Sequence, residues 1–244
     1  MRMLLSWHYL ALDDPDAARH VIAEARDAPS EAWAPICWYE NDLEAARDIL
    51  RGVELEDLSG TNYFDPYVLR AFRDQALVHE DPRARQLMRA VVEKWDPTVG
   101  HAKWTDAIWQ VDFVLVAAQW RTSIGQRRSA ATSARAALEW IELEERKSGR
   151  QHIFADERAT ALAMLGQSDA AIATLERAFA AGRHGWLDVD REPAFAALRE
   201  DPRFRALTVK KRARVSEQRK LLEQMRRAGA VPLRMMPRSA AHPC

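Results

Sequence analysis

Apolar residues recur along the chain at intervals of three and four, and strict alternation of apolar and polar positions is nearly absent. That periodicity predicts helices in consecutive pairs: 3–12 with 15–27, 29–40 with 42–52, 64–79 with 81–94, 101–123 with 126–147, and 151–165 with 168–181. Start signals agree with these spans. Asp14-Pro15 and Asp81-Pro82 each put a proline in a first helical turn. Asp42 and Ser168 stand where a side chain can cap the helix that follows. Pro29-Ser30-Glu31 and Ser59-Gly60-Thr61-Asn62 read as breaks. The fold class is all-α.

Helix pairs call for a search for internal repeats. Gly166, Ala171 and Ala178 are spaced by five and seven residues, and Gly125, Ala130 and Ala137 repeat that spacing. A glycine at the turn lets the chain reverse tightly, and small residues one heptad apart let the preceding helix approach closely. Leu162 and Leu175 are placed to fill the space between. Asp13, Ala18 and Ala25 match with aspartate at the turn, while Asn41, Ala46, Val53 and His79, Ala84, Val91 match more loosely. The turn positions are unevenly spaced, so a regular 34-residue array is absent.

The turn glycine and the two alanines after it resemble the tetratricopeptide repeat in its divergent bacterial form. The tryptophan and proline of the family pattern are not consistently placed. The resemblance implies a solenoid of about ten to twelve helices in antiparallel pairs, ending in a capping helix.

A second signature follows the last pair. Trp186 precedes two proline-x-phenylalanine units, Pro193/Phe195 and Pro202/Phe204, completed by Leu198 and Leu207. Each proline can open a short helix and each phenylalanine can turn inward, sealing an otherwise exposed terminal repeat. The stretch 151–235 resembles the end of the tetratricopeptide region of winged-helix transcription regulators and class III adenylate or guanylate cyclases. The expected organisation is a repeat domain over 1–182, a capping segment over 183–207, a basic helix over 208–230 and a disordered tail over 231–244. The first residues already read as a repeat, which suggests that an upstream part is missing.

Charge changes this picture at one end. Lys+Arg and Asp+Glu both number 36. From Arg203 onward, however, there are 12 basic residues against two acidic ones, Glu217 and Glu223, so the rest carries a compensating net of −10. The simpler reading is a solvated helix attracted to an acidic body. The sharper one is a nucleic-acid contact, less favoured because no aromatics beyond Phe204 interleave with the charges. Two widely separated cysteines, Cys37 and Cys244, suggest no disulfide framework. No apolar run reaches the length of a membrane helix and the N-terminus lacks a cleavage site, so no membrane association and a cytoplasmic location are expected.

Candidate chemistry is sparse. No phosphate-binding glycine loop, His-x-x-x-His pair or nucleophile elbow occurs, so no metal, no cofactor and no catalytic residue is expected. Asp188 and Asp190 near His184 read as part of the capping loop, and Glu142, Glu144 and Glu145 beside Arg146 and Lys147 as an ion-paired surface. The nine tryptophans are the remaining signal. Trp109 and Trp120, three turns apart, share a helix face that Trp104 does not, and with Arg121 they form the candidate partner-binding surface. The expected function is therefore non-catalytic: a scaffold for a protein or peptide partner in bacterial signalling or transcription regulation. The alternative is the sensory half of a signalling protein whose basic helix contacts nucleic acid or another subunit. A helical enzyme, recognisable by a buried polar pocket with perturbed ionisable groups, is the weaker third reading.

Overall fold

The computed structural model describes residues 8–12, 14–24, 33–40, 42–51, 66–78, 80–95, 109–149, 154–182 and 191–230, and every regular element among them is helical. The chain divides into two compact units, one formed by residues 1–54 and 210–244, the other by residues 55–209.

In the first unit a helical turn at 8–11 precedes α1 (Pro15–Ala23), α2 (Ala34–Tyr39) and α3 (Leu43–Arg51). Asp14 caps α1 by accepting the Ala17 N–H at 3.2 Å, and Asp42 caps α3 by accepting from Ala45 at 3.0 Å. Leu10, Ala18, Ile22 and Ile36 form the core, with Tyr9, Trp33 and Tyr39 packed around it. Arg19 bonds Asp16 at 2.8 Å and also Glu40, which ties α1 to the end of α2. Cys37, fully buried on α2, is disulfide-bonded. The other cysteine of the chain, Cys244, lies outside the described residues.

The second unit begins with α4 (Pro66–Val78) and α5 (Pro82–Trp95), followed by α6 (Trp109–Ser123) and α7 (Arg127–Ser148). It continues with α8 (Ala155–Met164), α9 (Ser168–Ala180), a 3-10 helix (Pro193–Leu198) and α10 (Pro202–Arg227), whose residues from Lys210 belong to the first unit. Contacts follow a stacking order. α4 packs on α5 and α6, α6 on α7 and α8, and α7 also on α8, while α8 packs on α9 and the 3-10 helix. The first helix of each pair thus meets the first helix of the next.

The local chemistry explains the turns. Gly125 and Gly166 have φ of 83° and 74°, the left-handed conformation that glycine adopts without strain. The helix after Gly166 departs from expectation: Gln167, not Ser168, holds the N-cap position and makes no side-chain cap bond. Asp81 does cap its helix, accepting from Ala84 at 2.9 Å. Asp201 caps α10 through the Arg203 N–H at 2.8 Å, and its hydrogen bonds with Arg203 hold the carboxyl down at about 2.

Ala130, Ala137, Ala171 and Ala178 are all buried, at 3, 0, 0 and 4 % exposure. Ala18, Ala46, Ala84 and Val91, from the looser matches, are buried too, while Asp13, Ala25, Asn41, Val53 and His79 lie outside the described residues. Ala159, Ala171, Ile172 and Leu175 share one core cluster with Phe195, Leu198 and Phe204, against which Leu162 and Leu207 pack. The rings of Phe195 and Phe204 stand 5.7 Å apart. Pro193 opens the 3-10 helix, whereas Pro202 opens a 26-residue helix in which the capping stretch and the basic stretch are continuous.

Because Ala171 faces a packed core while Ala170 is exposed, Ala171→Phe should lower stability by about 1–3 kcal/mol through overpacking. Ala170→Phe should stay within about 0.5 kcal/mol of the parent in the same urea titration.

Candidate functional site

The tryptophan stripe does not form an open surface. Trp120 is 2 % and Arg121 3 % exposed, and Arg121 Nη1 donates to Ser133 Oγ on α7 at 2.7 Å. The physical reason is that α6 is covered all round: Val111 and every residue from Phe113 to Arg121 are buried. The 11-residue spacing places two side chains on one face but says nothing of what covers that face. The side chain of Trp109 is outside the described residues, as are Trp104, Trp186, His184, Asp188 and Asp190.

A polar cluster that sequence patterning missed lies beside this helix. Arg73 on α4 has 0 % exposure and is the largest fully buried side chain among the described residues. Its Nε donates to Asp74 Oδ1 at 2.8 Å, and its Nη1 reaches Gln119 on α6 and Glu192 Oε1 at 3.4 Å. One turn earlier, Arg70 donates to Asp112 Oδ1 at 2.6 Å and lies 3.9 Å from Glu192 Oε2. Glu192, 3 % exposed, precedes the 3-10 helix, and its carbonyl accepts from the Phe195 N–H at 3.0 Å and from Arg199 at 3.3 Å. The cluster therefore joins α4, α6 and the segment that leads into the cap.

Its carboxylates outnumber its arginines. Burial raises the Asp112 carboxyl above its ordinary value, Arg70 opposes that shift, and Glu192 and Asp156 add to it. Glu157 on α8 is pushed well above the usual carboxylate range, first by burial and then by the charges of Asp112 and Asp156. Burial and the mutual repulsion of these carboxylates both favour the protonated form. Among the described residues no group of three or more His, Cys, Asp or Glu side chains is placed to hold a metal ion.

A cleft of about 530 Å³ between α7, α8 and α9 is lined by Glu142, Glu145, Arg146, Arg158, Thr174 and Arg177 among others. Its charges largely cancel within the chain. Arg158 bonds Glu145 at 2.6 Å and lies 3.6 Å from Glu142, while Arg146 sits 4.0 Å from Glu142. Lys147 closes on Glu144 at 2.6 Å. The acidic run on α7 is thus an ion-paired face that also reaches α8.

With this geometry in hand, comparison with protein-family profiles, with curated proteins and with solved structures found no match to the chain. Among the described residues no helix is long and apolar enough to cross a membrane.

Two outcomes follow from the buried charges. Glu192→Ala removes one of the two carboxylates that meet Arg73, leaving it Asp74 and Gln119, and should cost about 3 kcal/mol in urea denaturation. It should also speed amide exchange over residues 191–198 more than over α7. Glu157 binds its proton more tightly folded than unfolded, so folding stability falls as pH rises from the ordinary value of 4.5 through its raised value. Glu157→Gln should therefore raise the melting temperature at pH 7, with the gain vanishing near pH 4, and Asp112 should leave a residual slope of the same sign.

Proposed function

We propose that the chain is a non-catalytic helical-repeat scaffold of tetratricopeptide type that binds a protein or peptide in bacterial signalling or transcription regulation. The observation that carries this reading is the stacking order of residues 66–198, in which first helices meet first helices and each pair is closed by the next. Left-handed glycines at two of the turns, and buried alanines one heptad apart after each, support it. So does the packing of Phe195, Leu198 and Phe204 over the last pair, as an open stack requires of its end.

A scaffold presents rigid side chains to its partner. Within the repeat region Ile124 and Leu143 are large apolar side chains left 45 % and 43 % exposed. Leu143 follows in sequence Glu142, which lines the charged cleft, and an apolar anchor rimmed by charge is the composition of a binding hot spot.

The test is affinity capture with the full chain, followed by calorimetric titration of peptides from any captured protein. The expected result is saturable binding of an unaltered peptide, weakened at least tenfold by Leu143→Asp with the melting temperature unchanged. Recovery of a chemically changed peptide would replace this reading with an enzymatic one, and equal binding by Leu143→Asp would remove Leu143 from the surface.

A further inference from the structure

We propose that the occupant of the surface marked by Ile124 and Leu143 is a second copy of this chain, docked α7 against α7 about a two-fold axis. This rests on the reading of those two side chains as a binding surface and names what covers them.

Charge is ordered along α7. From Arg127 to Arg135 every charged residue is basic, and from Glu139 to Glu145 every one is acidic. Ile124, in the turn before the helix, adjoins the basic half, and Leu143 stands in the acidic half. One side of α7 is taken up by its own chain, where Ala130, Ala134, Ala137 and Ile141 are buried. On the other side Arg128, Thr132, Arg135, Glu139, Leu143 and Arg146 are all exposed, within an arc of roughly 80° of the helix circumference. Arg127, Arg128, Arg135 and Glu139 form no ion pair among the described residues, although Arg135 and Glu139 are one turn apart. Glu142, at the edge of the arc, is already met by Arg158 at 3.6 Å and by Arg146 at 4.0 Å. The first turn holds no acidic residue, so its two arginines oppose the helix macrodipole.

Two arguments select the occupant. The first is register. When α7 lies antiparallel to a copy of itself with Ile124 opposite Leu143, Arg128 falls opposite Glu139, because both pairs are centred between Ser133 and Ala134. A two-fold axis through that point makes each contact twice, as an isologous interface requires. Arg135 then comes opposite the uncharged Thr132 and stays one turn from its own Glu139. The second argument is sign. A parallel pairing in register sets arginine on arginine and glutamate on glutamate. A nucleic acid or an acidic peptide along this face would be attracted by one half and repelled by the other. The face that answers both halves is α7 itself, reversed. A contact one helix long is small among specific interfaces, so the dimer should dissociate at micromolar concentration.

Sedimentation velocity of the full chain from about 1 to 300 μM, in about 50 mM salt, tests this. The expected result is a concentration-dependent shift from one chain to two, diminished by added salt. Arg128→Glu and Glu139→Arg each set like charges opposite one another, and each should leave a single chain throughout with circular dichroism unchanged. Mixing the two variants should restore a one-to-one dimer, since each then meets the opposite sign in its partner. If either reversal unfolds the chain, Ile124→Asp should weaken the dimer of the parent at least tenfold. A single chain at every concentration, a dimer unmoved by the reversals, or no complex on mixing would overturn the proposal. If the chain stays single while Leu143→Asp still weakens capture of another protein, the surface stands and the second copy is removed from it; unchanged capture removes the surface as well.

Discussion

The second unit is organised around a buried guanidinium. Arg73 lies in the interior with no access to water. A charge so placed must be met by oppositely charged and hydrogen-bonding groups, or the fold does not form. Its partners come from its own helix, from Gln119 on α6 and from Glu192 ahead of the cap. Arg70 repeats the arrangement with Asp112. A network of this kind adds little net stability. Any register that parted Arg73 from Glu192 would nevertheless strand a buried charge at several kcal/mol, so the network specifies position more than it deepens the free-energy well.

The apolar packing is arranged to the same end. Alanines at 130, 137, 171 and 178 remove side-chain bulk where helices cross, and the left-handed glycines at 125 and 166 reverse the chain within a few residues. Phe195 and Phe204 then fill the core of the last pair from beyond its end. The cap and the ion network meet at Glu192, whose side chain answers the arginines and whose carbonyl takes the Phe195 N–H. One residue therefore links the interior of the stack to its closure.

The helical class and most helix positions were legible because periodicity, Asp-Pro starts and turn glycines are local signals. The sequence expectation failed where the answer depended on neighbours. Ser168 had the right chemistry for a cap, yet the chain turned one residue earlier and Gln167 took the position. Pro202 looked like the start of a short helix, but nothing after Leu207 breaks the helical run, so cap and basic stretch became one element. Trp120 and Arg121 had the composition of a hot spot, and burial on every side of α6 turned them into packing. The charged cluster went unnoticed because its members, from Arg70 to Glu192, are scattered over more than a hundred residues and share no spacing.

The sequence by itself determined what is encoded over a few residues: helices, their pairing by short turns, the small residues at crossings, and a basic end against an acidic remainder. These follow from backbone preference and periodicity, which act within a turn or two. Only the tertiary structure decided which of those helices lost all contact with solvent, which carboxylates were driven above their ordinary pKa, and which cations stayed on the surface. Desolvation is set by everything that packs around a group, and residues distant in sequence supply that packing.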